Sequence, residues 1–183
     1  MTPRPLPRYT HVPGRTPHPI NDPDGHSFGL AIGSPCPLDP DRPERSADYL
    51  RGIALFNAGY YWEAHEVWEE LWHAAGRRGT VARFLKGLIK LAAAGVKQYE
   101  GRPVGVQRHA ERAVQLLSEV ARAVSPNAIY AGLPLAALTS LAAAVTVASP
   151  ESWNGSPPLP GLIGVLPELV SDPKQSGRSV DRQ

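Results

Sequence analysis

The stretch FNAGYYWEAHEVWEELW, residues 56–72, places His65 and Glu63, Glu66, Glu69 and Glu70 among Trp62, Trp68 and Trp72. On a helix of about 100° per residue, Ala64, Val67, Trp68, Leu71 and Ala75 share one side. His65, Glu66, Glu69, Trp62 and His73 form an arc opposite it. His65 and Glu69 stand one turn apart, as the two histidines of the zinc peptidase motif H-E-x-x-H do, with Glu66 at the place of its general base. The second histidine is here a glutamate. An N/O donor pair of this kind suits zinc, manganese or iron, with Glu66 taking a proton from water. Two ligands do not make a centre, so a third donor must come from elsewhere in the chain.

Trp62 sits in the middle of the polar arc. Left in water it would forgo about 2 kcal/mol of burial, so the arc is expected to be covered by a helix, an arm or a second subunit. Covered carboxylates need partners. Arg83, Lys86, Lys90 and Lys97, along one side of the next helix, are candidates. A non-enzymatic reading follows from the same residues. In it the chain is a binding or scaffold module, and His65 and Glu69 join Arg83 or backbone groups in a buried polar network that fixes helix register. Glu70-x-x-His73 has the spacing of a di-iron bundle motif, but the chain carries no second copy.

Prolines mark out the helices that must hold these residues. Of 20, 11 lie in residues 1–45 and six in 149–183. Proline removes a backbone donor and breaks helix interiors. A helical domain over 46–148 therefore lies between two irregular arms, 1–45 and 149–183. Helices are expected at 46–58, capped by Ser46 and stopped by Gly59, and at 60–75. A third runs from a cap at Thr80 to Gly101, with Phe84, Leu85, Leu88, Leu91, Ala92 and Val96 on one face. A fourth opens at Pro103, and a fifth covers 134–147. No alternating strand pattern occurs. The fold class is all-α, a compact bundle of about five helices.

FNAGYYWEAHEVWEELW, followed by RFLKGLIKLAAAGVKQYEGRPVGVQRHAERAVQLL at 83–117, resembles the domain of unknown function 309 family. Its pattern is an FN-x-G-x-Y-x-EAHE helix, a tryptophan and a GLIQ-x-A helix. The resemblance covers roughly residues 47–120. Lys90 replaces the usual glutamine, and GRPVG the usual GN-x-x-GA turn. The resemblance implies an all-α bundle. Members carry the label of predicted metal-dependent hydrolases. By position that label falls on His65, Glu66 and Glu69, with Glu63 and Asn57 as neighbours, and it brings no substrate.

In the N-terminal arm, HPINDPDGH brackets two aspartates with His18 and His26. Folded over the bundle, it would cover Trp62 and supply the missing ligand. DPDG is also a strong turn signal by itself, and that reading is favoured. Tyr9, Val12, Ile20 and Phe28 anchor this arm. The C-terminal arm has Trp153, Leu159, Leu162, Ile163, Val165, Leu166 and Leu169, and is expected to dock on the bundle or a second subunit. Residues 171–183 read as a disordered polar tail. Cys36, the single cysteine, excludes an intrachain disulfide and has no visible base beside it. A formal charge of +2 and scattered basic residues point away from nucleic acid. With no signal-like or membrane-length apolar run, the expectation is a soluble cytoplasmic protein acting on a small molecule, with homo-oligomers plausible for a small bundle.

Overall fold

A computed structural model describes residues 4–30, 33, 35–147, 158, 160–161 and 163–170. Five helices pack together: α1 (Ala47–Asn57), α2 (Tyr61–Ala74), α3 (Gly79–Tyr99), α4 (Pro103–Val124) and α5 (Leu135–Val147). Ser46 caps α1, its hydroxyl accepting from Tyr49 N at 3.2 Å. Gly59 ends it at φ 84°, a left-handed conformation that costs glycine little. Tyr60 N then donates back to Leu55 O at 2.8 Å, which reverses the chain into α2. Pro103 occupies the first turn of α4, where no backbone donor is missed.

Two details differ from the sequence expectations. Helix α3 starts at Gly79 after Arg78, so Thr80 lies inside its first turn and caps nothing. The turn before it takes its shape from Gly76 and Arg77, both at positive φ. Between α4 and α5 a two-residue antiparallel pair, β1 (Ile129–Tyr130) and β2 (Leu133–Pro134), closes around Ala131 and Gly132, also at positive φ. Strands of two residues are too short for alternation to register. Their turn is pinned by Tyr49, whose hydroxyl donates to Ala131 O at 2.9 Å.

Helix α3 is the hub. Besides its expected face it buries Ile89, Ala94 and Tyr99, because α2 packs on one side and α4 on the other. Trp68, Tyr49, Tyr61, Tyr99, Phe56 and Phe84 form an aromatic core with no side chain in water. The buried hydroxyls are satisfied, as burial demands. Tyr99 donates to Gly59 O at 2.8 Å, and Tyr61 accepts from Ile163 N at 3.3 Å.

Both arms dock on this bundle. The C-terminal segment inserts Ile163 and Leu166, while Val165 stays exposed. Trp153, Leu159, Leu162 and the 171–183 tail lie outside the described residues. No described helix is long and apolar enough to cross a membrane.

Candidate functional site

On α2 the expected stripe is buried at Ala64, Trp68 and Leu71, which turns the polar arc outward. His65 Nδ1 lies 3.2 Å from Glu66 Oε1 and 3.8 Å from Glu69 Oε2. One donor atom from each of the three falls within 4.8 Å of the others, and among the described residues this is the one such group. Bonds of about 2.0–2.2 Å place adjacent ligands about 3–3.5 Å apart, so the cluster needs little adjustment to close on one ion. The side chains are 25%, 39% and 33% exposed. The outer coordination positions therefore face solvent, an arrangement that suits a reactive centre better than a closed structural one.

The N-terminal arm covers Trp62 but does not reach this cluster. The His11 and His18 rings stack edge-on against the indole at centroid distances of 5.1 and 5.5 Å. Glu63, only 5% exposed, is the anchor. Its Oε2 accepts from the Thr10 hydroxyl at 2.6 Å. Its Oε1 accepts from His11 N at 2.8 Å and lies 3.0 Å from His26 Nε2. A carboxylate only accepts, so His26 offers its proton on Nε2 and turns Nδ1 to Ser27 Oγ, 2.9 Å away. His18 Nδ1 accepts from Ile20 N and Asn21 N inside the turn that DPDG builds. The arm's histidines thus serve the strap, and Glu63 is a fastening point beside the cluster.

Asn57 and Arg83 are engaged elsewhere. Asn57 clamps the C-terminal segment through both amide atoms, accepting from Leu166 N at 2.8 Å and donating to Leu166 O at 3.3 Å. Arg83 pairs with Glu119 of α4 at 3.1 Å, not with His65 or Glu69. Lys86 sits over the Trp72 ring, 3.9 Å from its centroid. Between α1, α2 and the arm lies a cavity of 840 Å³. Leu55, Trp62, Val67, Arg51, Glu66 and Glu70 are among the residues that line it, so Glu66 belongs both to the cluster and to the cavity wall.

On α4 stands a titratable residue that the sequence reading did not single out. His109 of α4 is pushed down to about 4 by burial, then by the charges of Lys90, Lys97 and Arg108 and by His65. It is neutral at pH 7. Burial also lowers Lys90, with Lys86 nearby, although Glu69 opposes the shift. His11 is lowered by burial and by His18. These depressed histidines make the unfolded chain bind more protons between pH 4 and 6.5, so stability should rise with pH across that window and level off above it. His109 is half-exposed, so solvent screening limits its share to on the order of 1 kcal/mol. Urea midpoints at pH 5 and 7.5 should differ less in His109→Gln than in the native chain; an unchanged difference would contradict this origin. His109 stands alone in an ordinary helical pattern, and only the packing of α4 on α3 brings it within range of the charge at His65.

No curated protein matches the chain. One domain family does, described as Domain of unknown function (DUF309), over residues 49–109. The match takes in α2 with its whole arc, α3 and α4 as far as His109, and leaves out the strap. Over that span, about a third of the chain, the sequence is similar to the DUF309 family.

Proposed function

We propose that this protein is a metal-dependent hydrolase centred on α2, with His65 and Glu69 as ligands of a divalent cation (zinc, manganese or iron) and Glu66 as the general base. The observation that carries the reading is that the His65 nitrogen and one carboxylate oxygen each of Glu69 and Glu66 lie within 4.8 Å of one another on a part-exposed face; the first two would be ligands and the third the base, with water completing the coordination. The donor set fits such an ion, because imidazole and carboxylate together suit these metals. A bound ion would supply Lewis acidity, lowering the pKa of water and polarising a substrate oxygen.

The chain's own residues do the rest. Glu66 is placed to receive the proton of the attacking water, since its carboxylate adjoins both His65 and the cavity. The cavity supplies an apolar wall, from Leu55, Trp62 and Val67, against which a small substrate can be held. The strap keeps Trp62 in position and excludes water behind it.

Elemental mass spectrometry of the purified, untagged protein tests this directly. Near-stoichiometric zinc, manganese or iron is expected, and its loss in the double variant His65→Ala, Glu69→Ala. A native protein that holds no metal after incubation with those ions, beside a double variant that melts lower, would make the arc a structural network. The chain would then read as a binding or scaffold module.

A further inference from the structure

Helices α3 and α4 run antiparallel, and two cross-helix contacts fix their register. At one end the Lys97 chain lies against Gly105, where a Cβ would come within 2.9 Å of Lys97 Cγ. At the other Arg83 bonds Glu119 at 3.1 Å. Lys90 lies two turns from both Lys97 and Arg83, and Arg112 lies two turns from both Gly105 and Glu119. The register therefore sets Lys90 opposite Arg112. The equivalent place two turns away carries an attractive pair; this one carries two positive charges.

Among the described residues only Glu69 offsets their charge, and it forms no ion pair with either. Among the described residues Lys90 makes no hydrogen bond and no ion pair, and Arg112 donates to the neutral amide of Gln115. Arg108 adds a further cation to the field at Lys90. The neighbouring lysines are occupied: Lys97 pairs with Glu100 at 2.7 Å, and Lys86 stacks on Trp72. Glu69 faces Lys90 from α2 but forms no ion pair with it; its nearer partner is His65. Like charges opposed across helices are destabilising, and a half-buried lysine feels the repulsion more than an exposed one. Beside them His109, neutral at neutral pH, can offer a ring N–H.

We propose that Lys90, Arg112 and His109 form a binding site for a tetrahedral oxyanion, the phosphate group of an ester substrate, on the wall facing His65 and Glu69. An ammonium, a planar guanidinium fork and an imidazole N–H are all donors, and phosphate presents only acceptors. Arginine in particular matches two phosphate oxygens at once. Bound there, the phosphate removes the repulsion between α3 and α4. It also sets the ester next to the α2 cluster, which identifies a phosphate ester as the substrate class. That last step rests on the metal reading of α2; the anion site does not.

The test is calorimetric titration with inorganic phosphate in EDTA, against chloride of equal ionic strength. Saturable binding is expected to the native protein, weakened about tenfold or more in Lys90→Gln and in Arg112→Gln, and unchanged in Arg122→Gln at the exposed end of α4. Without phosphate, Lys90→Gln should melt at or above the native temperature, because it removes a repulsion. Absence of saturable binding, native affinity in either variant, or a lower melting temperature for Lys90→Gln would each overturn the proposal. Because the titration is metal-free, a protein that takes no metal yet loses phosphate on Lys90→Gln keeps the anion site and loses the hydrolase reading. A protein that loads metal at His65 and Glu69 but binds no phosphate does the reverse.

Discussion

Truncating Glu63 to alanine should free the N-terminal arm and cost about 3 kcal/mol or more of stability. The carboxylate satisfies three donors, Thr10 Oγ1, His11 N and His26 Nε2, all at 3.0 Å or less. Thr10, His11 and Glu63 are each at most 6% exposed. Removing the acceptor leaves the Thr10 hydroxyl and the His11 amide buried without partners. The arm must then keep them unpaired or lift away and bare the Trp62 indole. Either course is costly, because a buried donor without an acceptor loses its water as well as its partner. The arm's remaining side-chain polar ties to the helices, among the described residues, are at the surface: Arg4 to Asp48 at 2.6 Å, and Arg51 to the carbonyls of Arg4 and Pro5. Exposed pairs of this kind hold little by themselves. Urea unfolding gives the energy, and hydrogen exchange of residues 9–26 gives the location. A Glu63→Ala chain with the native midpoint and native protection at His11 N would show that the carboxylate does not fasten the strap.

Gly52→Ala is expected to lose about 2 kcal/mol or more, against the ordinary expectation for a helix. In an exposed helix the change would gain up to about 1 kcal/mol, since alanine restricts the unfolded chain. Here a Cβ at position 52 would overlap the Trp68 indole at Nε1 and its neighbours. That ring is fully buried, packed on Phe56 at 6.0 Å between centroids, and its Nε1 donates to Tyr49 O at 3.5 Å. It has no room to withdraw, so α1 and α2 must separate, and overpacking of this kind typically costs 1–3 kcal/mol. A thermal melt of Gly52→Ala at or above the native temperature would show that the interface yields more readily than this packing allows.

Much of this was present in local sequence. Proline is concentrated outside the run of helices because it does not suit a helix interior, and Gly59 and Pro103 mark element ends for equally local reasons. The stripe Ala64, Trp68, Leu71 has the helical period, so the face α2 buries could be read directly, and with it the outward turn of His65, Glu66 and Glu69. These three lie on one helix within five residues. Their proximity is a property of helix geometry and needs no tertiary fold.

Tertiary structure decided what meets them. Glu63 and Asn57 look like members of the same motif, yet Glu63 receives Thr10, His11 and His26 from more than thirty residues away, and Asn57 receives Leu166. Arg83 was a reasonable partner for α2 by charge, but the packing of α3 on α4 gives it to Glu119. The same packing opposes Lys90 and Arg112 and carries His109 toward His65. Period and composition determine which face of a helix avoids water. Which polar side chains then meet across that face depends on crossing geometry and register between segments distant in sequence, and only the folded chain holds that information.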